Sequence, residues 1–262
     1  LFDIAFKSSG MNKLQNKTVI ITGAASGIGS SIVDVFAEEG ATIVLVDIQS
    51  SSIREKTVLI TQNGGHALAI TCDISDEKDV EKMMESVMHH FGGVDIVVNN
   101  AGIMDDFIPT AELITDKWNR VLGVNLNGPF YVSRAALRSM LPNKKGVILN
   151  IASVGGLYGG RAGAAYTTAK HGLIGLTKNT AFMYANEGIR CNAIAPGGVE
   201  TSIGLTLHPH PFGYGKISPG LPLMPRAGKP IEIARLALFL VTDDASFING
   251  SVITADAGWT AF

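Results

Sequence analysis

Seven short runs rich in β-branched residues alternate with helical patterns along this chain, and that alternation constrains the fold more than any other feature. The runs are Thr18–Thr22, Thr42–Asp47, His66–Thr71, Val94–Asn99, Gly146–Ile151, Arg190–Ala195 and Ser251–Ala255. Between them, apolar residues at helical spacing predict helices over Gly27–Glu39, Ser51–Gln62, Glu77–Phe91, Thr115–Leu141, Ala164–Asn186 and Pro230–Leu240. A strand, a helix and a second strand close most readily as a parallel pair with a right-handed crossover. Repeating that unit gives an α/β fold, a doubly wound parallel sheet with helices on both faces. Composition agrees. Of 262 residues 46% are hydrophobic, only 17% are charged and 30 are glycine, which suits a sheet buried on both faces with many tight turns.

The same composition excludes several function classes. Net charge is −2 with no run of Lys or Arg, so the basic footprint of nucleic-acid binding is missing. No stretch approaches the roughly 20 apolar residues of a membrane-spanning helix. Cys72 and Cys191 show no metal-ligand spacing and are expected to be buried, reduced thiols of a cytoplasmic protein. His208 and His210 lack a third ligand, so no metal is expected. The segment LFDIAFKSSG, residues 1–10, is too short in apolar core for a secretory signal and is read as an added leader, foreign to the natural chain. Residues 11–262 are read as one domain.

A nucleotide site is written into the first strand–helix junction. In Thr22–Gly23–Ala24–Ala25–Ser26–Gly27–Ile28–Gly29, Gly23 permits a tight turn, Gly27 lets the backbone approach a pyrophosphate, and Gly29 allows close helix–strand contact. With Ser26 and Ile28, these residues open a helix whose free N–H groups favour phosphate. Asp47 ends the second strand, 20 residues after Gly27, where a carboxylate accepts hydrogen bonds from an adenosine ribose, with Ile48 beside it. The same charge repels the 2′-phosphate of NADP, and no Arg or Lys stands nearby in sequence to offset it. NAD is the expected cofactor. Asp73 and Ile74 follow the third strand, where they can flank an adenine. Asn99, Asn100, Ala101 and Gly102 follow the fourth, at the expected switch point, with the Asn side chains expected both to brace strands and to meet the cofactor.

Tyr166 and Lys170 stand four apart at the start of a predicted helix and so share one face. A phenol titrates near about pH 10, and bringing it to about 7 takes roughly 4 kcal/mol of preferential stabilisation of the phenolate. A nearby Lys⁺ favours that form. Ser153, thirteen residues before Tyr166 and just past the fifth strand, can hydrogen-bond a substrate oxygen. Asn125 lies within the long Thr115–Leu141 pattern, in Val-Asn-Leu-Asn-Gly-Pro. Its amide can open a local hydrogen bond and hold a water against Lys170, or the segment simply kinks before Pro129.

With TGAASGIG, Asp47, CDI, NNAG, Asn125, Ser153, YTTAK and PGGVET in this order, the chain resembles the short-chain dehydrogenase/reductase family from about Leu14 onward. The resemblance implies a Rossmann-type sheet of about seven strands in the order 3-2-1-4-5-6-7. It implies that Tyr166 is the general acid/base, that Ser153 positions and polarises the reacting oxygen, and that Lys170 lowers the tyrosine pKa and binds the nicotinamide ribose. Asn125 would complete a proton relay through water. Pro196, Gly197, Val199 and Thr201 would meet the cofactor, the last two at its carboxamide. Similar enzymes are usually homotetramers, with the Asn125 and Tyr166 helices at one interface. Asp256-Ala257-Gly258 departs from the family's commoner Asp-Gly-Gly, which bears on subunit contacts more than on chemistry.

The expected activity is hydride transfer between NAD and a secondary alcohol or ketone such as a sugar, a polyol or another hydroxy compound. A 3-oxoacyl-thioester reductase and a non-catalytic NAD-sensing scaffold are the alternatives. Residues 201–229, rich in Pro and Gly, are expected to form an irregular, mobile lid. From it Ile203, Leu205, Leu207, Phe212, Tyr214, Leu221 and Leu223 would favour an apolar or amphipathic substrate. Asp105 and Asp106 are expected to be solvated loop charges.

Overall fold

The computed structural model describes residues 12–204 and 207–261. The leader at residues 1–10 and Leu205 of the lid lie outside the described residues. Strands β1 (Thr18–Thr22), β2 (Thr42–Asp47), β3 (His66–Thr71), β4 (Ile96–Asn99), β5 (Gly146–Ile151), β6 (Ile189–Pro196) and β7 (Val252–Ala255) form one sheet in the order β3-β2-β1-β4-β5-β6-β7. All its pairings are parallel. The chain reverses direction across the sheet between β1 and β4, which opens a crevice at their carboxyl ends.

Alternation along each strand divides the core between two faces. Val19 and Ile21 of β1 and Ile43 and Leu45 of β2 pack with α1 (Gly27–Glu38), α2 (Ser50–Gln62) and α8 (Pro230–Val241), centred on the fully buried Phe36. Ile20, Val44 and Val46 face the other way, onto α3 (Glu77–Phe91), α5 (Gly128–Met140) and the end of α6 (Ala164–Tyr184). Cys72 and Cys191 are buried there as free thiols, and burial pushes both up to about 12, so neither is a ready thiolate.

Two expectations change. The pattern read as one helix over Thr115–Leu141 is α4 (Thr115–Leu122), a π-helical turn (Gly123–Asn127) and α5. Pro129, which has no N–H, stands four residues after Asn125 and cannot donate to its carbonyl, so the α-helical ladder gives way at that point. The lid is less irregular than composition suggested. It contains a helix, α7 (Pro211–Ile217), capped by the His210 side chain accepting from the Gly213 amide, and a 3₁₀ segment (Ser218–Leu223).

Candidate active site

Most of the residues that the sequence marked as chemical line a cleft of about 1130 Å³ at the carboxyl edge of the sheet, with Gly29, Asn99 and Asn125 outside its lining. Its first wall is the turn after β1. Gly23 has φ +65°, and a Cβ there would lie 2.8 Å from the Ala101 Cα. A Cβ on Gly29 would lie 2.0 Å from the Gly23 carbonyl oxygen, so this position admits glycine alone without moving backbone. Ser26 precedes α1 and makes no side-chain cap, which leaves the amides of the first turn free for an anion. Asn100 clamps the turn from β4, its Nδ2 donating to the carbonyls of Thr22 and Gly23 at 2.9 and 3.1 Å.

Asp47 stands at the end of β2 with one carboxylate oxygen accepting from the Ala25 amide at 3.0 Å and the other from the Gln49 amide at 3.0 Å. Those contacts fix the group against the glycine turn while each oxygen keeps a lone pair for a ligand. Ile48 beside it is 59% exposed and lines the cleft. Asp73 accepts from the Ser75 amide and hydroxyl and from Arg120. Burial opposes its charge, yet those donors hold its carboxyl below the usual carboxylate range. Ile74 lines the cleft but is largely buried, closely packed where it meets Gly128 of α5.

Of the two roles expected for Asn99, its side chain shows the bracing one. It is buried in the sheet, donating to Ser133 at 2.9 Å and Asn150 at 2.8 Å, and the cleft wall passes instead through Asn100, Ala101 and Gly102. Pro196, Gly197, Val199 and Thr201 complete this half, with Thr201 set against Gly27.

The second half is built where β5 and α6 meet. Ser153 follows β5 in extended conformation, its Oγ accepting from the Gly155 amide at 3.0 Å. Gly155 lies between that oxygen and the Tyr166 ring, each within 3.5 Å of where a Cβ would stand. Lys170, one turn along α6, is 3% exposed and donates through Nζ to the Ile151 carbonyl at 2.7 Å. Burial brings its ammonium down to about 8. Burial also pushes the Tyr166 phenol above its ordinary value, the neighbouring Ser153 hydroxyl opposes that, and the Asp105 carboxylate adds to it. The chain's own side chains therefore hold Tyr166 as a neutral phenol, contrary to a simple lysine-driven shift.

Asn125 is fully buried, and both ends of its amide bind one residue. Its oxygen accepts from the Ile103 amide and its Nδ2 donates to the Ile103 carbonyl, both at 2.8 Å. This clasp holds the strand extending from β4 against the π turn. One lone pair of the oxygen and one Nδ2–H remain beyond this clasp, so the amide keeps capacity for the water that the spacing suggested.

Sequence reasoning missed Asp105. It is no solvated charge but 0% exposed, accepting from the amides of Phe107 (3.2 Å), Gly163 (3.0 Å) and Tyr166 (2.9 Å). It caps α6 from a distant loop and fixes the helix's first turn, in which Tyr166 is the third residue. Asp106 faces the other way. It pairs with Lys117 at 2.7 Å, and its carboxylate and carbonyl accept from the His208 and His210 amides of the lid. Asp106 and Phe107 both have left-handed φ, +56° and +60°, so this bifunctional turn is strained, most of all at Phe107. The signal was the Asp pair itself, but nothing local says that one faces inward.

The lid meets this turn through the His210–Glu112 pair at 2.9 Å and the Phe107–Tyr214 ring contact. Of the apolar lid residues expected to face substrate, Ile203, Leu207 and Leu221 line the cleft, joined by Ile217. Phe212, Tyr214 and Leu223 do not line it and are exposed on the lid.

Comparison with known proteins agrees with this architecture. The family model described as enoyl-(acyl carrier protein) reductase matches residues 23–260. The chain is 44% identical to a 3beta-hydroxysteroid dehydrogenase 2 of Eggerthella lenta, over 95% of this chain and 96% of that protein. It is 37% identical to the short chain dehydrogenase/reductase dpchG of Colletotrichum higginsianum, over 95% of each. The crystal structure of levodione reductase superposes with a TM-score of 0.85 at 33% identity, covering 95% of this chain and 99% of that one. Sharing sequence over nearly its whole length and sheet order strand for strand, the chain belongs to the short-chain dehydrogenase/reductase family of oxidoreductases.

Proposed function

We propose that the chain oxidises a secondary alcohol, or reduces the matching ketone, with NAD, and that Tyr166 is the general acid/base. The observation that carries this reading is the convergence of Ser153, Tyr166 and Lys170 on the cleft that Asp47 and the glycine turn also line. The residues fit a dinucleotide. Glycine is required sterically at positions 23 and 29, and the amides opening α1 are uncapped. Gly23, Ser26, Gly27, Ile28 and Gly29 would hold the pyrophosphate. Asp47 and Ile48 would hold the adenosine ribose, Asp73, Ile74 and Ala101 the adenine side, and Gly102, Pro196, Gly197, Val199 and Thr201 the nicotinamide end. Bound there, NAD supplies the hydride acceptor and a positive charge near the phenol.

In oxidation Tyr166, once deprotonated, takes the hydroxyl proton as its phenolate, and in reduction the phenol gives that proton to the carbonyl oxygen. Ser153 Oγ lies on the same side and donates to the substrate oxygen, which fixes its orientation and stabilises charge that develops on it. Lys170 has two N–H donors left beyond the one given to Ile151, and these suit the nicotinamide ribose hydroxyls. Because burial keeps Tyr166 protonated, alcohol oxidation rises toward alkaline pH and ketone reduction falls. Asp47 favours NAD over NADP, since among the described residues no cation pairs with it.

Apolar lid residues favour an alicyclic hydroxy compound, in line with relatives named for a hydroxysteroid and for cyclohexanol, although another is named a glucose 1-dehydrogenase. Exposed Phe130 on α5 and Phe182 and Met183 on α6 suit a homotetramer interface. The region from residue 11 onward acts as a single catalytic domain, and buried reduced thiols suit the cytoplasm.

The test is Tyr166→Phe. Turnover of an alicyclic secondary alcohol drops by about 10³-fold or more while NADH affinity, read by fluorescence titration, stays within about twofold. Near-normal turnover removes the assignment, and tighter binding of NADPH than NADH removes the cofactor choice.

A further inference from the structure

We propose that Arg161 anchors a carboxylate at the far end of an otherwise apolar alcohol substrate. This rests on the alcohol-oxidising reading above and adds a second recognised group to it. Arg161 ends the 3₁₀ turn Gly159–Arg161, between Ser153 and Tyr166 in the chain, and lines the same cleft as both. Its guanidinium lies over the Trp259 ring, 4.3 Å from the centroid. Trp259 is itself buried and pinned, its Nε1 donating to the Gly220 carbonyl of the lid at 3.0 Å. Gly220 also passes close to the guanidinium, with room for a Cβ only at 3.1 Å from Nη1. Stacking therefore fixes the plane of the cation while its edge donors stay available.

Those donors have no use within the fold. Among the described residues no carboxylate pairs with Arg161, and its Nε is shut off from water without an acceptor. The other ionic groups on the cleft wall are engaged: Asp73 with Arg120, Asp106 with Lys117, Asp47 with two amides and Lys170 with the Ile151 carbonyl. The terminal Nη groups of Arg161 likewise make no hydrogen bond among the described residues, and it is these that a ligand in the cleft would meet.

The rest of the wall defines what that ligand looks like. Met104, Phe107, Leu207, Ile217 and Leu221 offer no charge. The complement is an apolar body with a hydroxyl at Tyr166 and an anion at Arg161. A planar carboxylate matches the guanidinium fork with two parallel hydrogen bonds, whereas an ester or amide of the same body leaves the charge unmet. The substrate class is thus an alicyclic hydroxy acid.

Two probe pairs test this: 4-hydroxycyclohexanecarboxylate and its methyl ester, and a 3-hydroxysteroid with a side-chain carboxylate and its methyl ester. With the full chain and NAD, the acid of at least one pair has a kcat/KM about ten- to hundredfold above its ester, carried by KM. In Arg161→Gln the acid-to-ester ratio collapses toward one through KM, and Arg161→Lys keeps part of it. Calorimetric binding of the same acids to the NADH complex separates the two readings. Turnover with equal acid and ester, or a ratio unmoved in Arg161→Gln, overturns the anchor and leaves the oxidoreductase reading standing. Binding that depends on Arg161 without turnover supports the anchor and overturns the assigned reaction. Neither binding nor turnover of any probe overturns the substrate class and the anchor together.

Discussion

The cleft has two halves built by different means. On the proposed cofactor side the wall is mainly backbone: glycines that permit close approach, amides at the start of α1, and one carboxylate held by the Ala25 and Gln49 amides. On the substrate side it rests on side chains from segments far apart in sequence. Asp105 reaches α6 across 61 residues, and Arg161 stacks on Trp259 near the end of the chain. A backbone site tolerates little change at a few positions, whereas a side-chain site can be retuned without disturbing the fold. That difference predicts opposite responses to substitution in the two halves.

The largest effect on cofactor binding belongs to Gly29→Ala. Its methyl meets the Gly23 carbonyl oxygen at 2.0 Å, so the phosphate turn must shift. NADH affinity, followed by fluorescence, falls by about a hundredfold, on the order of 3 kcal/mol of strain. Binding within threefold of the parent would erase the contrast between the halves.

Lys170→Met comes next and separates function from stability. Turnover is lost, but the fold gains. Burial lowers the ammonium to about 8, so the unfolded chain holds a proton between there and 10.5 that the native chain has released. The penalty for the buried charge is fully present below about pH 8 and is relieved as pH rises toward 10.5. At pH 7 the penalty is about 3 kcal/mol, and after loss of the Ile151 bond the net gain in denaturant unfolding is on the order of 2 kcal/mol. The gain shrinks at pH 10.

Asp105→Asn keeps the shape and removes a charge that raises the Tyr166 pKa. Turnover falls about tenfold as the start of α6 loosens, and the pH limb of alcohol oxidation moves to lower pH. A stability loss with an unmoved limb would reduce Asp105 to a helix cap. The smallest effect is His210→Ala, which releases the lid from Glu112. A single hydrogen bond to an exposed carboxylate is weak, so KM for the alcohol rises no more than about threefold.

These halves also differ in how far they could be read in advance. The glycine turn, Asp47 and the strand–helix alternation are local, because each depends on backbone conformation within a few residues. The doubly wound sheet followed from the alternation, while its order and the joint site of Ser153, Tyr166 and Lys170 were what the family resemblance implied. Asn99 and Asn100 were harder. Adjacent residues on a strand point to opposite faces, and only the register of β4 decides that Asn99 braces Ser133 and Asn150 while Asn100 holds the turn. The break at Asn125 was legible in Pro129, but the clasp on Ile103 was not.

Sequence by itself determined the element pattern and the glycine turn, which follow from periodicity and steric need along the chain, and it nominated the side chains proposed to react. Tertiary structure alone decided that Asp105 is buried and Asp106 is not, that Leu207 and Leu221 face the cleft while Phe212 does not, and that Arg161 has no partner among the described residues. The physical reason is burial. Whether a charge is solvated, paired or left waiting depends on what long-range packing brings beside it.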